Sequence, residues 1–400
     1  TAWVHDDIVE IWAPTAGASN LVHGIAFLLD MPPAKVRVRR SEYVGGHFGR
    51  RDRLDQDIEA VHLSRRMGAP VQVVQRREHD TQQGYYRPCQ ATRMRAVIDA
   101  GGRLTGWQQK IAIQSLTHAG HDLSEMADVG FDLGKLTDYL KAGGSPYYNV
   151  AHDAFAVSLT PVTAAYAIPA IDVQVVEMEA PLKPTYWRSV GQSVNTFQLE
   201  CFMDELAEVA GLDPFEFRKR QLDPQPRAKA VLDALAARIG WQGRASDQPG
   251  SGWGIALSNG FAAYAAMAVK VRIAGSSLVL ERVVCVADQG ITVNRNQSEA
   301  QLQGGIVDGL AAACLQQITL REGKVVQHSW NDYPTITLGQ MPDIDVYLED
   351  SGASPGSISE LSTPLVVPAL VNAIHAASGR RIRELPLAKQ GLELANRIRA

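Results

Sequence analysis

The chain has 400 residues, of which 46% are apolar and 20% are charged, so it is long enough for two packed lobes and too apolar to be wholly disordered. Its formal net charge of −4 gives no electrostatic reason to expect nucleic acid or an anionic membrane as the main partner, and no apolar run is long enough to span a bilayer. The four cysteines are too far apart for a zinc or iron–sulfur site, and Cys285 and Cys314 lie in apolar runs that predict buried thiols.

The first residues predict strands followed by a helix. Residues 1–12 read as two strands around an Asp6-Asp7 turn, and Ser19-Asn20 can cap a helix that runs to Leu29. Lys35–Arg39 alternates as a half-exposed strand. No signal peptide is visible, and because the chain opens directly on a strand pattern we expect a processed or truncated polypeptide.

A glycine-rich turn follows this strand. The run Tyr43-Val-Gly-Gly-His-Phe-Gly-Arg-Arg51 precedes a helix with Ile58 and Val61 on one face. Adjacent glycines before a helix let backbone N–H groups converge on an anionic ligand. The same residues are equally compatible with a tight strand-to-helix turn that binds nothing.

The next part of the first lobe predicts further strands. Val71–Gln75 is predicted to be a buried strand, and residues 91–115 predict a long hairpin. His79 and Asp80 have no second pair at metal-ligand spacing, so a loop salt bridge is predicted there. Residues 116–180 are polar and have few periodic runs. Their tyrosines either contribute to a substrate funnel or cover a hydrophobic surface; the residues concerned are Tyr147, Tyr148 and Tyr166.

Two helices close the first lobe. The segment Tyr186-Trp-Arg-Ser-Val-Gly-Gln-Ser193 leads into a helix over 195–210, and Asp213-Pro-Phe-Glu216 predicts a capping box that opens a second helix. Arg188 has fixed donor geometry, so it suits a phosphate or a substrate. It is equally suited to a salt bridge with an acid on the following helix.

The best domain boundary lies between the two lobes. Proline-rich residues 223–226 and a glycine-rich run over 243–252 flank a short amphipathic helix. Strand patterns follow at 266–273 and 278–287. The next helix contains Gln301-Leu-Gln-Gly-Gly305, and interior glycines make sense where another backbone or a cofactor packs closely.

The last motif is one carboxylate among turn residues. The sequence Pro355-Gly-Ser-Ile-Ser-Glu360 precedes Pro364 and Pro368, so we expect a helix to start at or just after Pro368 and Glu360 to sit in a constrained loop. Such a carboxylate is suited to act as a base. It is also compatible with an ordinary surface glutamate.

These segments, taken together and in this order, resemble the large subunit of the molybdenum hydroxylases, the xanthine dehydrogenase and aldehyde oxidase superfamily. The branch they resemble is the isoquinoline 1-oxidoreductase beta-subunit type, and similar segments run over 4–88, 187–222 and 252–387. The family supplies a Gly-x-Gly-Glu base, onto which Glu360 falls, although Ser357 and Ser359 replace its glycines. By the same resemblance, the residues expected to bind the cofactor are Gly45, Gly46, Phe48, Gly49, Arg188, Gln301, Gly304 and Gly305.

The resemblance also gives expectations for the substrate pocket. Trp187 would border it, and His47 stands where this branch usually has glycine, so His47 either contacts substrate or cofactor or caps the turn. Arg295 replaces the proline that usually follows Asn294.

The resemblance implies an α+β fold with two molybdopterin-binding lobes, residues 1–225 and 253–400, joined by a linker region over 226–252. It implies a molybdopterin, in the cytosine dinucleotide form, with molybdenum held by the pterin. The chain matches only the C-terminal part of the large subunit, so a companion chain carrying the N-terminal part is expected. A separate small subunit would carry the [2Fe-2S] clusters.

The implied activity is hydroxylation of an N-heteroaromatic carbon, or oxidation of an aldehyde, with water as the oxygen source. One alternative is a cofactor-free assembly or scaffold relative, for which Ser357, Ser359 and His47 would be signs of a lost site. Another is a hydrolase that uses Thr1 as its nucleophile. The compartment is open, with the periplasm slightly favoured by the resemblance.

Overall fold

The computed structural model describes residues 1–42, 45–52, 55–114, 166–178, 182–185, 187–223, 225–244 and 248–397. They divide into two compact units that interleave along the sequence. Unit 1 draws on Thr1–Cys89, Ile113–Ala154 and Glu177–Trp187, and unit 2 draws on Gln90–Ala112, Phe155–Val176 and Arg188–Ala400. Tyr147 and Tyr148 lie outside the described residues. The division into lobes at 225 and 253 stays a prediction about the sequence.

Unit 1 is a small three-stranded sheet covered by helices. Its β1 and β2 form the predicted antiparallel hairpin, and β3 pairs parallel with β2 after a crossover through α1. Leu21 and Ile25 lie one helical turn apart on α1 and are fully buried, because they face Val9 and Ile11 of β2 in one core. The elements are β1 (Ala2–His5), β2 (Ile8–Ala13), α1 (Ala18–Leu28), β3 (Val36–Arg40), α2 (Asp55–Met67) and α3 (Arg77–Gln83).

The predicted buried strand over 71–75 is wrong. Only Val71 pairs with the sheet, through an isolated antiparallel bridge to Ala2, and Val74 is 77% exposed. The valines supply strand propensity, but propensity yields a strand only where a partner edge continues. The segment therefore runs past the sheet edge as an irregular stretch.

Unit 2 is built on two larger sheets, and the short strands β10 and β11 form a separate antiparallel pair. The first has the order β4-β5-β6, and its β4 and β5 form the predicted hairpin around the turn at 99–103. The second has the order β12-β9-β8-β7, with the short β13 also pairing with β9. The strands are β4 (Gln90–Ile98), β5 (Leu104–Gln114), β6 (Ala170–Met178), β7 (Ser251–Gly260), β8 (Ala263–Ala274), β9 (Ser277–Asp288), β10 (Leu320–Arg321), β11 (Lys324–Val325), β12 (Asp343–Glu349) and β13 (Glu393–Leu394).

Helices cover both faces of the larger sheet. The helices of unit 2 are α4 (Gln192–Val209), α5 (Pro214–Arg220), α6 (Pro226–Ile239), α7 (Arg295–Cys314) and α8 (Ser362–Ser378). Met267 and Cys285 face α7 and α8, whereas Ala268 and Val284 face α6 on the other side. Strands buried on both faces carry nearly continuous apolar runs, which explains why β8 and β9 read so clearly in the sequence. Cys285 and Cys314 are buried as predicted, and burial raises the pKa of each thiol to about 12.

A buried ion pair ties α4 and α5 to the sheet. Arg218 donates from Nε to Glu200 Oε2 at 2.8 Å, and both side chains are fully buried. Tyr166 donates to Glu200 Oε1 at 2.6 Å, and the Leu257 N–H donates to Glu200 Oε2 at 2.9 Å. Buried charges are tolerated when they are paired and hydrogen-bonded in this way. Tyr166 is thus a core residue of unit 2.

The helix expected to start at or after Pro368 starts earlier. Helix α8 begins at Ser362, and Pro368 lies inside it. Pro364 falls in the first turn, where a missing N–H costs nothing because it would have no partner within the helix. Pro368 does remove an intrahelical hydrogen bond, but it is buried in the core of unit 2 together with Leu365 and Ala369, so packing outweighs the local preference. No helix in the described part of the chain is long and apolar enough to cross a membrane.

Candidate active site

Glu360 lies immediately before α8, on a loop that the backbone fixes at several points. The Gly356 N–H donates to the Gln289 carbonyl at 2.7 Å, and the Ser357 N–H donates to the Phe261 carbonyl at 2.9 Å. A Cβ at Gly356 would lie 2.6 Å from the Ala262 carbonyl, so glycine is required at that position. Ile358 points into the core and Glu360 is half-buried. The loop therefore presents one carboxylate from a rigid frame.

The Glu360 carboxylate is held by Ser189, a residue of the segment over 186–193 to which the sequence assigned no role. The Ser189 N–H donates to Glu360 Oε2, and the Ser189 hydroxyl donates to the Glu360 carbonyl at 2.5 Å. Ser189 and Val190 have φ values of 73° and 47°. Left-handed backbone is rare for serine and costly for a β-branched residue, and such strain concentrates at functional sites. Nothing in a Ser-Val pair signals this conformation, so Ser189 was missed.

Arg188 joins the glutamate loop to helix α7. Its Nε donates to the Ser359 carbonyl at 2.5 Å, and its Nη2 donates to the Gln301 carbonyl at 2.9 Å. Gln301 Oε1 lies 3.4 Å from the same nitrogen. The Arg188 side chain is buried. Because its guanidinium binds the carbonyls of both Ser359 and Gln301, it fixes the distance between these two residues, of which Gln301 is exposed. Its expected contact with a pterin phosphate or with substrate stays a prediction.

The two adjacent glycines of α7 have different surroundings. A Cβ at Gly305 would lie 2.1 Å from Ser362 Oγ and 3.0 Å from Arg188 Nη2, whereas a Cβ at Gly304 would meet nothing within 4 Å. Gly305 is thus explained by the close approach of α7 and α8. Gly304 is exposed, and it leaves open space above the helix. Only Gly304 keeps room for a cofactor to approach the backbone.

A cleft of about 330 Å³ opens beside Gln301 and the glutamate loop. This volume falls in the lower part of the range for small-molecule sites. The cleft is lined largely by side-chain amides and by apolar residues, namely Gln289, Ile291, Val293, Asn294, Gln297, Ser298, Gln301, Pro355, Gly356 and Ile358.

The lining of this cleft suits a pterin. Gln297, Gln301 and Gly304 are spaced four and three residues apart, so they share one face of α7. Amides offer both donors and acceptors, as the edges of a pterin require. Gly304 does not line the cleft, but it lies three residues after Gln301 and permits close approach of a flat ring to the helix. The described residues hold no cluster of three His, Cys, Asp or Glu side chains that could bind a metal ion. The residues of this cleft fit a molybdopterin.

The glycine-rich turn belongs to unit 1. His47 Nδ1 accepts the Gly49 N–H at 3.1 Å, and the His47 carbonyl accepts the Arg50 N–H at 2.8 Å. His47 therefore caps the turn, which was one of its two predicted roles; contact with substrate or cofactor stays a prediction. Phe48 has a φ of 49° and is 47% exposed. The assignment of Gly45, Gly46, Phe48 and Gly49 to the cofactor stays a prediction.

Two other residues singled out in the sequence also belong to unit 1. Trp187 donates from Nε1 to the Tyr85 carbonyl at 3.1 Å, so its indole N–H is engaged in the fold. Asp80 lies 3.4 Å from Arg50 Nε and 3.2 Å from Arg77 Nη1, so it makes the predicted salt bridges, but on α3 rather than on a loop. The pocket role of Trp187 stays a prediction.

This chain is similar in sequence to proteins that bind molybdopterin and to subunits of oxidoreductases. Two models of the molybdopterin cofactor-binding domain match the chain, one over residues 1–127 and 116–222 and the other over 222–342. The beta subunit of isoquinoline 1-oxidoreductase from Brevundimonas diminuta is 28% identical over 96% of this chain, and a nicotinate dehydrogenase subunit from Pseudomonas putida is 28% identical over 98% of it. The chain spans 46% and 32% of the length of these relatives.

Solved structures agree on the fold. Quinoline 2-oxidoreductase from Pseudomonas putida 86 superimposes with a TM-score of 0.77 at 13% identity, covering 96% of this chain and 72% of its own. Aldehyde oxidoreductase from Desulfovibrio gigas superimposes with a TM-score of 0.77 at 14% identity, covering 98% of this chain and 58% of its own. The α+β fold expected for a molybdopterin-binding protein is confirmed, and the chain belongs to the molybdopterin cofactor-binding domain family.

Proposed function

We propose that this chain is the molybdopterin-binding portion of a molybdenum hydroxylase, with Glu360 as its base. The substrate would be an N-heteroaromatic compound, oxidised at a carbon next to nitrogen, or an aldehyde, and water would supply the oxygen. Relatives named for isoquinoline, nicotinate and quinoline support the first class, and the aldehyde oxidoreductase supports the second. The observation that carries the proposal is the fixed position of the Glu360 carboxylate in the unit that contains the amide-lined cleft.

We assign a separate role in the reaction to each of the side chains near the cleft. The molybdenum centre, when bound, would accept the electron pair released by substrate oxidation. Gln301 and the exposed backbone at Gly304 would hold the pterin. Glu360 would take a proton from water or a water-derived hydroxyl, because a half-buried carboxylate whose oxygens already accept hydrogen bonds is preorganised to do so. Arg188 would keep the loop of Glu360 at a fixed distance from Gln301.

Replacement of Glu360 by glutamine tests the assignment of the base. The variant keeps the shape of the side chain and removes its basicity, so we expect pterin and molybdenum content to stay at the level of the parent complex. Turnover should fall by about 10²–10⁴-fold, the usual contribution of a positioned acid–base group. Glu393→Gln, an exposed carboxylate elsewhere in unit 2, is the matched control. Near-native turnover in Glu360→Gln would exclude Glu360 as the base.

We also propose the assembly that such an enzyme needs. The remaining part of the large subunit would come from a companion chain, and a small subunit with [2Fe-2S] clusters would carry the electrons away. The pterin would be the cytosine dinucleotide form, and the enzyme would lie in the periplasm. Mass spectrometry of the purified complex and of its released pterin tests the first three points, and cell fractionation tests the last.

The family membership favours this proposal over the two alternatives. A cofactor-free scaffold would purify without molybdenum, so stoichiometric metal in the complex excludes it. For a threonine hydrolase, the amine of Thr1 would have to serve as the base. In the structure this amine donates to the Trp12 carbonyl at 3.1 Å, as part of the pairing around β1 and β2.

A further inference from the structure

Ser357 and Ser359 stand where the resembled family has glycine, and their hydroxyl groups form a hydrogen-bonded row that ends at Glu360. Ser359 donates from Oγ to Glu360 Oε1 at 3.3 Å, and Ser357 Oγ lies 3.1 Å from Ser359 Oγ. Ile358 between the two serines is buried, whereas Ser357 and Ser359 are only partly buried. The three polar groups therefore form one line, from the carboxylate to Ser357, which is only partly buried.

We propose that Ser359 and Ser357 form a proton path between Glu360 and solvent. This inference rests on the proposed role of Glu360 as the base. A proton that Glu360 accepts at Oε1 forms a carboxyl O–H, which donates to Ser359 Oγ. Ser359 passes its own hydroxyl proton to Ser357 Oγ, Ser357 passes its proton to water, and the carboxylate is restored. Each oxygen gains one proton and loses one, so no further reactant is needed.

The surrounding contacts favour transfer along this line. Glu360 Oε2 already accepts the Ser189 N–H, so Oε1 is the oxygen that faces a hydroxyl. A backbone N–H cannot relay a proton, whereas a hydroxyl can donate and accept at once. The Arg188 guanidinium binds the Ser359 carbonyl, so it fixes the backbone that carries the hydroxyl. The backbone that carries the two serines is thus fixed by hydrogen bonds, and the two hydroxyl groups are hydrogen-bonded to each other and to Glu360.

Three substitutions separate the parts of this path. Ser357→Ala breaks its outer end and leaves the contact of Ser359 with Glu360. Ser359→Ala removes that contact, and Ser359→Thr restores a hydroxyl. Ser354→Ala, in the exposed part of the same loop, is the matched control.

The first readout is infrared spectroscopy of the intact complex with ¹³C-labelled glutamate, which needs no turnover. The difference between parent and Glu360→Gln isolates the carboxylate band of Glu360. This band should shift in Ser359→Ala and return in Ser359→Thr, because a donated hydrogen bond lowers the carboxylate stretching frequency. It should stay in place in Ser354→Ala. An unmoved band in Ser359→Ala would overturn the proposal.

The second readout is the solvent isotope effect on reduction of the enzyme by substrate. In the parent, several protons move together, so the rate should depend on deuterium fraction along a curve. In Ser357→Ala this dependence should become linear and the rate should fall about 3–30-fold, less than the full ~10²–10⁴-fold contribution of an acid–base group. A linear dependence in the parent, or an unchanged one in Ser357→Ala, overturns the path.

The two proposals can fail separately. If Glu360→Gln loses turnover while both serine variants behave like the parent, the path is wrong and the base remains. If Glu360→Gln keeps its turnover, the assignment of the base fails, and the proton path that rests on it fails as well.

Discussion

The adjacent glycines of α7 allow a test in which each variant serves as a control for the other. Gly304→Ala and Gly305→Ala make the same change in the same helix, so both gain about 1 kcal/mol of helix propensity, and this gain cancels in their difference. The added methyl group meets nothing within 4 Å at Gly304 but would lie 2.1 Å from Ser362 Oγ at Gly305. Ser362 is fully buried, so its side chain cannot turn away into solvent.

The steric cost at Gly305 should therefore equal the difference in stability between the two variants. Overpacking of a close contact costs about 1–3 kcal/mol, so Gly305→Ala should unfold at a lower temperature than Gly304→Ala by roughly 2–12 °C. Thermal unfolding of the complex after removal of its cofactor, followed by circular dichroism, measures this difference without a contribution from pterin binding. Equal midpoints for the two variants would refute the close packing of α7 on α8.

The same pair separates packing from cofactor binding. If the pterin approaches Gly304, the methyl group in Gly304→Ala occupies the space that the ring needs. We then expect reduced molybdenum and pterin content from a protein whose cofactor-free form is more stable than the parent. Elemental analysis and the fluorescence of the released pterin measure this content. Full content in Gly304→Ala would show that Gly304 does not contact the cofactor.

Three further predictions concern charged groups. Arg218→Met leaves its buried carboxylate partner unpaired and should cost about 3–5 kcal/mol of unfolding free energy, whereas the neighbouring, half-exposed Lys219→Met should cost about 0–1 kcal/mol; chemical denaturation measures both. Burial raises the pKa of Asp57 to about 6, so its ionised form destabilises unit 1 as pH rises through 4–6, and Asp57→Asn should raise the melting temperature at pH 8 but not at pH 4. Arg227→Gln removes donors to the Ala262 carbonyl and to the Asp288 carboxylate. Asp288 precedes Gln289, whose carbonyl accepts the Gly356 N–H, so hydrogen exchange of the Gly356 amide should accelerate.

Many helices and strands of unit 2 could be predicted from patterns within short stretches of the sequence. The apolar runs of β8 and β9 and the glycine-containing helix α7 were predicted because strands buried on both faces and helices of 20 residues leave strong patterns. The position of Glu360 just before a helix was recognised, although the start of α8 was placed about two turns too late. Proline predicts the end or the beginning of a helix, whereas Pro368 is tolerated inside α8 because it is packed in the core.

Other features depend on contacts between distant residues, which the sequence does not show. Strand β6 falls in a stretch read as polar and irregular, and it forms only because β5 supplies an edge. The left-handed turn at Ser189 and Val190 exists because Glu360, about 170 residues later, accepts its N–H. The difference between Gly304 and Gly305 likewise follows from the position of α8.

The glycines that the structure requires near Glu360 are not at the positions where the resemblance expects glycine. A Cβ at Gly356 or at Gly290 would lie within 2.6 Å of a backbone carbonyl, so these two positions do not admit any larger residue. Ser357 and Ser359 are instead partly buried, and their hydroxyl groups form hydrogen bonds with each other and with Glu360. The loop that holds Glu360 is fixed through its backbone atoms, and these hydrogen bonds do not use the side chains at positions 357 and 359. Serine at these two positions is therefore compatible with the observed position of the Glu360 carboxylate, and under the proposed proton path it supplies the hydroxyl groups next to that carboxylate.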